Sequence, residues 1–211
     1  MFDITLNNLL LRIVAAFFAL IIHEAVKARC STWLGDPTPK NSGFMSGNPL
    51  KYLEPIGFIV TVIFGFGWGQ PTPTSPVYYK DRKKGIFITY FTPSLVNLFT
   101  GLLATICLGI LNVAAAPAML SAPHFMIFIT AWLFNFIEVF AMISIGIAIF
   151  NMIPVYPLDG AKLLQAVLPP HTAVKMTQNE KLLQLALMLL MIFGIIGDII
   201  RPIIHLLMGV F

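Results

Sequence analysis

Three residues in this sequence carry chemistry that an apolar chain rarely places without a use: His23, Glu24 and Asp159. An imidazole can chelate or pass a proton, and a carboxylate can do either. His23 and Glu24 close an apolar run directly after Leu20-Ile21-Ile22. Asp159 follows another within Asn151-Met152-Ile153-Pro154-Val155-Tyr156-Pro157-Leu158-Asp159-Gly160. Chelating or charged groups at such places are costly in a membrane and default to functional candidates. Lys27 stands four residues after His23 and so shares its helix face.

The elements that must position these groups are membrane spans. The chain has 211 residues, 58% hydrophobic and 10% charged, with a mean hydropathy of +0.87. A soluble domain is about 25% charged, so too little polar surface exists to cover a soluble globule. The composition argues against a disordered chain, a secreted disulfide scaffold and a nucleic-acid binder. The net charge of +4 fits basic residues in cytoplasmic loops. Cys30 and Cys107 lack metal-type spacing and read as reduced, membrane-buried thiols. The N-terminus has no basic region, its first charge being Asp3, so the apolar stretch behind it reads as a retained span rather than a signal peptide.

Four segments are long enough to cross about 30 Å of hydrocarbon: roughly Ile4–Val26, Gly85–Val113, Phe125–Ile153 and Leu182–Val210. A fifth, Leu53–Trp68, is short and contains Gly57, Gly65 and Gly67. It fits a re-entrant segment or a short fifth helix. If it does not cross, residues 27–84 and 154–181 share one side and hold 11 of the 13 Lys and Arg residues. The positive-inside rule then places that side in the cytoplasm. His23, Glu24 and Asp159 all approach it, so one shared polar site is expected. The Pro-, Gly- and Thr-rich stretch Asp36–Pro76 cannot be a continuous helix. A small extended hairpin near the cytoplasmic face is expected there. The fold class is thus an all-α integral membrane protein, a single domain over 1–211.

The order of motifs adds a resemblance. His23-Glu24-Ala25-Val26-Lys27 stands where a zinc metalloprotease carries H-E-x-x-H. Leu34-Gly35-Asp36-Pro37-Thr38-Pro39-Lys40 follows, then Asn48-Pro49-Leu50, Pro55-Ile56-Gly57 and Trp68-Gly69-Gln70-Pro71-Thr72-Pro73. The late motif is Asn-x-x-Pro-x-x-Pro-Leu-Asp-Gly, Asn151–Gly160. Over about residues 15–170 the set resembles the site-2 protease family of intramembrane zinc metalloproteases, in its short bacterial form. The resemblance implies His23 and Asp159 as zinc ligands and Glu24 as the general base on a metal-bound water, whose pKa zinc lowers to about 7. It implies a bacterial inner-membrane location. It also implies transmembrane segments of other proteins as partners beside the lipid bilayer. Asn151, Pro154 and Pro157 would shape the break after the third span or position substrate.

The pattern departs from the family at the residues that build its site. The second ligand position is Lys27, whose ammonium has no lone pair. Two ligands fall short of the usual three. Tyr52 stands where the family often has His, Glu54 where it often has Asp, and Gln70 where it has Lys. The Ala-Gly-Pro-x-x-Asn motif becomes Phe91-Thr92-Pro93-Ser94-Leu95-Val96-Asn97. Lys27 has three possible roles: its ammonium contacts Asp159 in place of a metal, it snorkels to the interface, or it binds metal as a neutral amine. His171 is the one further histidine that topology allows near the site. Asp159 could also cap a helix starting near Ala161. The reading favours a pseudoprotease that binds transmembrane segments. The alternative is an active protease with an atypical zinc site, and a small transporter is weaker still for want of an inverted repeat.

Overall fold

The computed structural model describes residues 6–119 and 122–209. The expected span ends at Ile4 and Val210 fall outside them. Among the described residues three helices are long and apolar enough to cross a membrane: α1 (Leu6–Trp33), α4 (Arg82–Met119) and α5 (His124–Asn151). They pack on one another as the core of the bundle. Small residues make this possible. Ala15, Ala16 and Ala19 of α1 are fully buried, with Ile143 and Ile147 of α5 in the same cluster. Membrane helices without a hydrophobic force between them associate through such close backbone approach.

Leu53–Trp68 does not cross. Its helix, α3 (Pro55–Phe64), has 10 residues, or about 15 Å of length, half the hydrocarbon thickness. Its far end meets Arg12, which donates through Nε to Val62 O at 2.6 Å and through Nη2 to Ile63 O at 2.9 Å. Arg12 lies 11 residues before His23 on α1, about 16 Å away along the axis. After Gly65 the chain returns to the level of Glu24, where Thr72 binds. The segment therefore enters and leaves by the same end. Its two arms touch through glycines: a Cβ on Gly57 would lie 2.2 Å from Trp68 O, and one on Gly67 would lie 2.2 Å from Thr61 Oγ1. Arg12 thus acts as a cationic cap on the open carbonyls of α3, favourable at a helix C-terminus.

The fourth expected span is broken. It forms α8 (Glu180–Ile192) and α9 (Ile195–Met208), bent by 68°. Gly194 ends α8 in a left-handed conformation. Hydropathy registers apolar length but not direction, so it reads the two helices as one.

The expected hairpin is also absent: no strand occurs among the described residues. Besides α3, the stretch forms α2 (Thr38–Asn41), 3-10 turns at Pro49–Tyr52 and Pro76–Tyr78, and irregular chain. Prolines explain this, because they supply no ladder N–H and favour the first turn of a helix. Pro49, Pro55 and Pro76 each open an element. Several amides of the stretch turn to carboxylates instead. Asp36 accepts from Ser75 N at 2.6 Å, Thr38 N at 2.9 Å and Ser31 Oγ at 2.7 Å. Burial alone would raise the Asp36 pKa, but these donors outweigh it and hold it below the usual carboxylate value. A depressed folded pKa gives stability that is present above the unfolded pKa, about 3.9, and is lost as pH falls through the folded value. Asp36→Asn is therefore expected to lower stability by about 1–3 kcal/mol at neutral pH. It should also flatten the loss of stability below about pH 4. Thermal melts of the detergent-solubilised protein across pH check both.

Candidate functional site

The shared polar site forms, and a lysine stands at its centre. Lys27 Nζ lies 2.7 Å from Glu24 Oε1 and 2.8 Å from Asp159 Oδ1. His23 Nε2 lies 2.9 Å from Asp159 Oδ2. All four residues are at most 5% exposed, so this is a closed ionic cluster rather than a solvated helix end. Of the three roles open to Lys27, the structure forms the contact with Asp159. The side chain does not snorkel out.

Local structure explains how 136 residues of separation close to one contact. Apolar α1 carries His23 and Glu24 on one turn and Lys27 on the next. The turn after α5 delivers Asp159 at the start of α6 (Asp159–Val167). Asp159 makes no capping bond to its own helix. Its oxygens are committed to Lys27 and His23 instead, which corrects the expectation of a cap. Burial alone would raise its pKa, yet the Lys27 ammonium and the His23 hydrogen bond hold it below the usual carboxylate value. An ionised Asp159 only accepts, so His23 Nε2 carries the hydrogen. His23 Nδ1 is buried and has no partner.

Glu24 is held from its other side by a residue that sequence reasoning did not single out. Thr72 donates to Glu24 Oε2 from its amide at 3.1 Å and from its hydroxyl at 2.8 Å. The available signal was Pro71-Thr72-Pro73 itself, which leaves one amide between two residues that have none. Gly69 lets this chain pass, since a Cβ there would stand 2.7 Å from Glu24 Cγ. A cavity of about 240 Å3 opens beside the cluster, lined by Glu24, Lys27, Thr72, Tyr90, Asn151 and Pro157 among others. Asn151 closes its floor, donating to Gly67 O at 3.1 Å and Ile147 O at 2.9 Å.

Other named residues lie elsewhere. Tyr52 donates its hydroxyl to Phe44 O and packs with Ala25, Ala28 and Phe44. Glu54 caps α3. Pro154 is exposed in the turn after α5. His171 is exposed on α7 (Pro170–Gln178) against Thr172.

The sequence profile of peptidase family M50 matches residues 5–194. The chain belongs to peptidase family M50, the site-2 protease family. It is 28% identical over 169 residues to "Putative zinc metalloprotease YwhC" of Bacillus subtilis (strain 168), covering 80% of this chain and 74% of that protein. No solved structure gives a significant match. With its apolar helices, membership marks an integral membrane protein.

The zinc that M50 membership implies does not fit this arrangement. Asp159 has both oxygens engaged, and Lys27 brings a positive charge with no lone pair. Among the described residues no group of three His, Cys, Asp or Glu could hold a metal ion.

Proposed function

We propose that this chain is a non-hydrolysing M50 protein that holds transmembrane segments of other proteins in the cavity beside Glu24. The carrying observation is the Lys27 ammonium bonded to both Glu24 and Asp159 at 2.7 and 2.8 Å. In the family positions Glu24 would be the base and His23 and Asp159 metal ligands. Here a single cation bridges two carboxyl groups, so each of these buried groups has a hydrogen-bonded partner. The cluster is then a structural replacement for a metal centre, and the scaffold around it is kept. Under the positive-inside rule the basic end faces the cytoplasm, and the short-form resemblance supports a bacterial inner-membrane location.

A second reading draws on the hold that Thr72 keeps on Glu24 and on the relative's printed description as a zinc metalloprotease. In it the chain hydrolyses peptide bonds with an atypical zinc site. Metal content of the purified protein, together with incubation with a synthetic transmembrane peptide, separates the two. The expected result is less than about 0.1 zinc per chain and crosslinking of intact peptide to the cavity. About one zinc per chain that disappears in His23→Ala, or peptide cleavage abolished by Glu24→Gln, overturns the first reading.

A further inference from the structure

A second cavity, of about 520 Å3, lies at the basic end between the first turn of α4 and helices α6 and α7. Arg82 and Lys83 line it from α4 and Lys162 from α6, and no carboxylate is among its lining residues. The nearest acid in sequence, Asp81, is engaged with Lys84: its Oδ1 accepts the Lys84 amide and its Oδ2 lies 3.8 Å from Lys84 Nζ. Arg82, Lys83 and Lys162 enter no ion pair among the described residues. Lys162 rests on the Tyr156 ring, 4.9 Å from its centroid. Thr74 and Gln165 add polar groups, and Ile86 and Val174 belong to the apolar wall.

We propose that this cavity binds the phosphate-bearing headgroup of an anionic phospholipid. Three cations lining one cavity with no acid among them select an anion with several acceptor oxygens. An apolar wall suits a ligand whose glycerol and acyl portion continues from that anion. The cavity sits where α4 begins, at the end that the positive-inside rule assigns to the cytoplasm, and basic pockets between membrane helices on that side suit lipid headgroups. It shares Thr74, Tyr90 and Lys162 with the cavity beside Glu24, so the bound headgroup stands at that cavity's mouth. This inference does not depend on whether the M50 site hydrolyses anything.

The test uses the full chain in phosphatidylcholine nanodiscs doped with phosphatidylglycerol, with retained lipid counted by native mass spectrometry. Arg82→Gln/Lys83→Gln/Lys162→Gln is expected to lose phosphatidylglycerol retention at least about tenfold, whereas Lys40→Gln/Lys80→Gln/Lys84→Gln, with the same charge removed outside the cavity, stays within about twofold. Single Arg82→Gln and Lys162→Gln variants, each losing about threefold, keep the test readable should the triple variant fail to fold. Equal weakening by both triple variants means a diffuse surface field and overturns the proposal. So does saturation by inorganic phosphate without phosphatidylglycerol retention, which makes free phosphate the ligand. Retention of an acidic peptide with no lipid preference overturns it too.

Discussion

Lys27→Met is expected to destabilise the folded protein by about 3–5 kcal/mol, the range for removing one partner of a buried ion pair. The magnitude comes from what is left behind rather than from what is lost. Methionine fills much of the same space, so packing around the side chain is nearly preserved. Glu24 and Asp159 would remain 3% and 5% exposed with no cation between them. Two uncompensated carboxylates at such burial are far more expensive than the ion-paired cluster they replace. The same argument predicts a rescue. Glu24→Gln/Lys27→Met/Asp159→Asn carries no charge into the cluster and should recover most of the loss, because replacing a whole buried ionic group by neutral groups of similar shape is often close to neutral. Chemical denaturation of the single and triple variants in detergent, with native protein alongside, measures both. A single variant that loses less than about 1 kcal/mol, the range of exposed ion pairs, would show Lys27 to be a dispensable charge and would remove the basis for treating it as the replacement of a metal.

The long helices were legible because an 18-residue apolar run has few alternatives. α1, α4 and α5 lie near where hydropathy puts them. The length of Leu53–Trp68 and its glycines left a re-entrant segment and a short fifth helix both open. What length and composition could not carry was direction, hence the missed bend at Gly194. Nor could they say what would satisfy the amides of the proline-rich stretch. A hairpin was the default, whereas Asp36 and Glu24 accept those amides across 39 and 48 residues of sequence. The site was legible in its members but not its closure. His23, Glu24 and Asp159 were marked by being polar in the wrong place. Lys27 was marked by a motif with one residue changed. Thr72 makes three hydrogen-bond contacts to Glu24 yet carries no charge, and nothing in its residue type sets it apart from the other threonines. Tyr52 shows the converse: a position that the resemblance flags, turned away to the Phe44 carbonyl.

Lys27→His is expected to convert the cluster into a zinc site holding about one metal per chain, readable by metal analysis and by thermal shift. The substitution exchanges the only cation in the cluster for a third lone-pair donor, at i+4 from His23 on the same face of α1. It also frees Asp159 Oδ1, which in the native protein is bonded to the ammonium. His23 must then carry its hydrogen on Nδ1 and present Nε2 as a lone pair, a change that metal binding itself drives. His23 Nε2 and Asp159 Oδ2 stand 2.9 Å apart. Neighbouring ligands on a tetrahedral zinc with bonds of about 2.0 Å are about 3.3 Å apart, so these two need to separate by only a few tenths of an ångström. Glu24 stays in place because its Oε2 is fixed by Thr72, which does not change. Bound at about a thousandfold excess over its dissociation constant, the metal should add about 4 kcal/mol of stability. The added His23→Ala should abolish the gain, since it returns the donor count to two. A Lys27→His protein that folds and gains no zinc would mean that the scaffold has drifted beyond repair at one residue, and that the carboxylates are now placed for an ammonium and for nothing else.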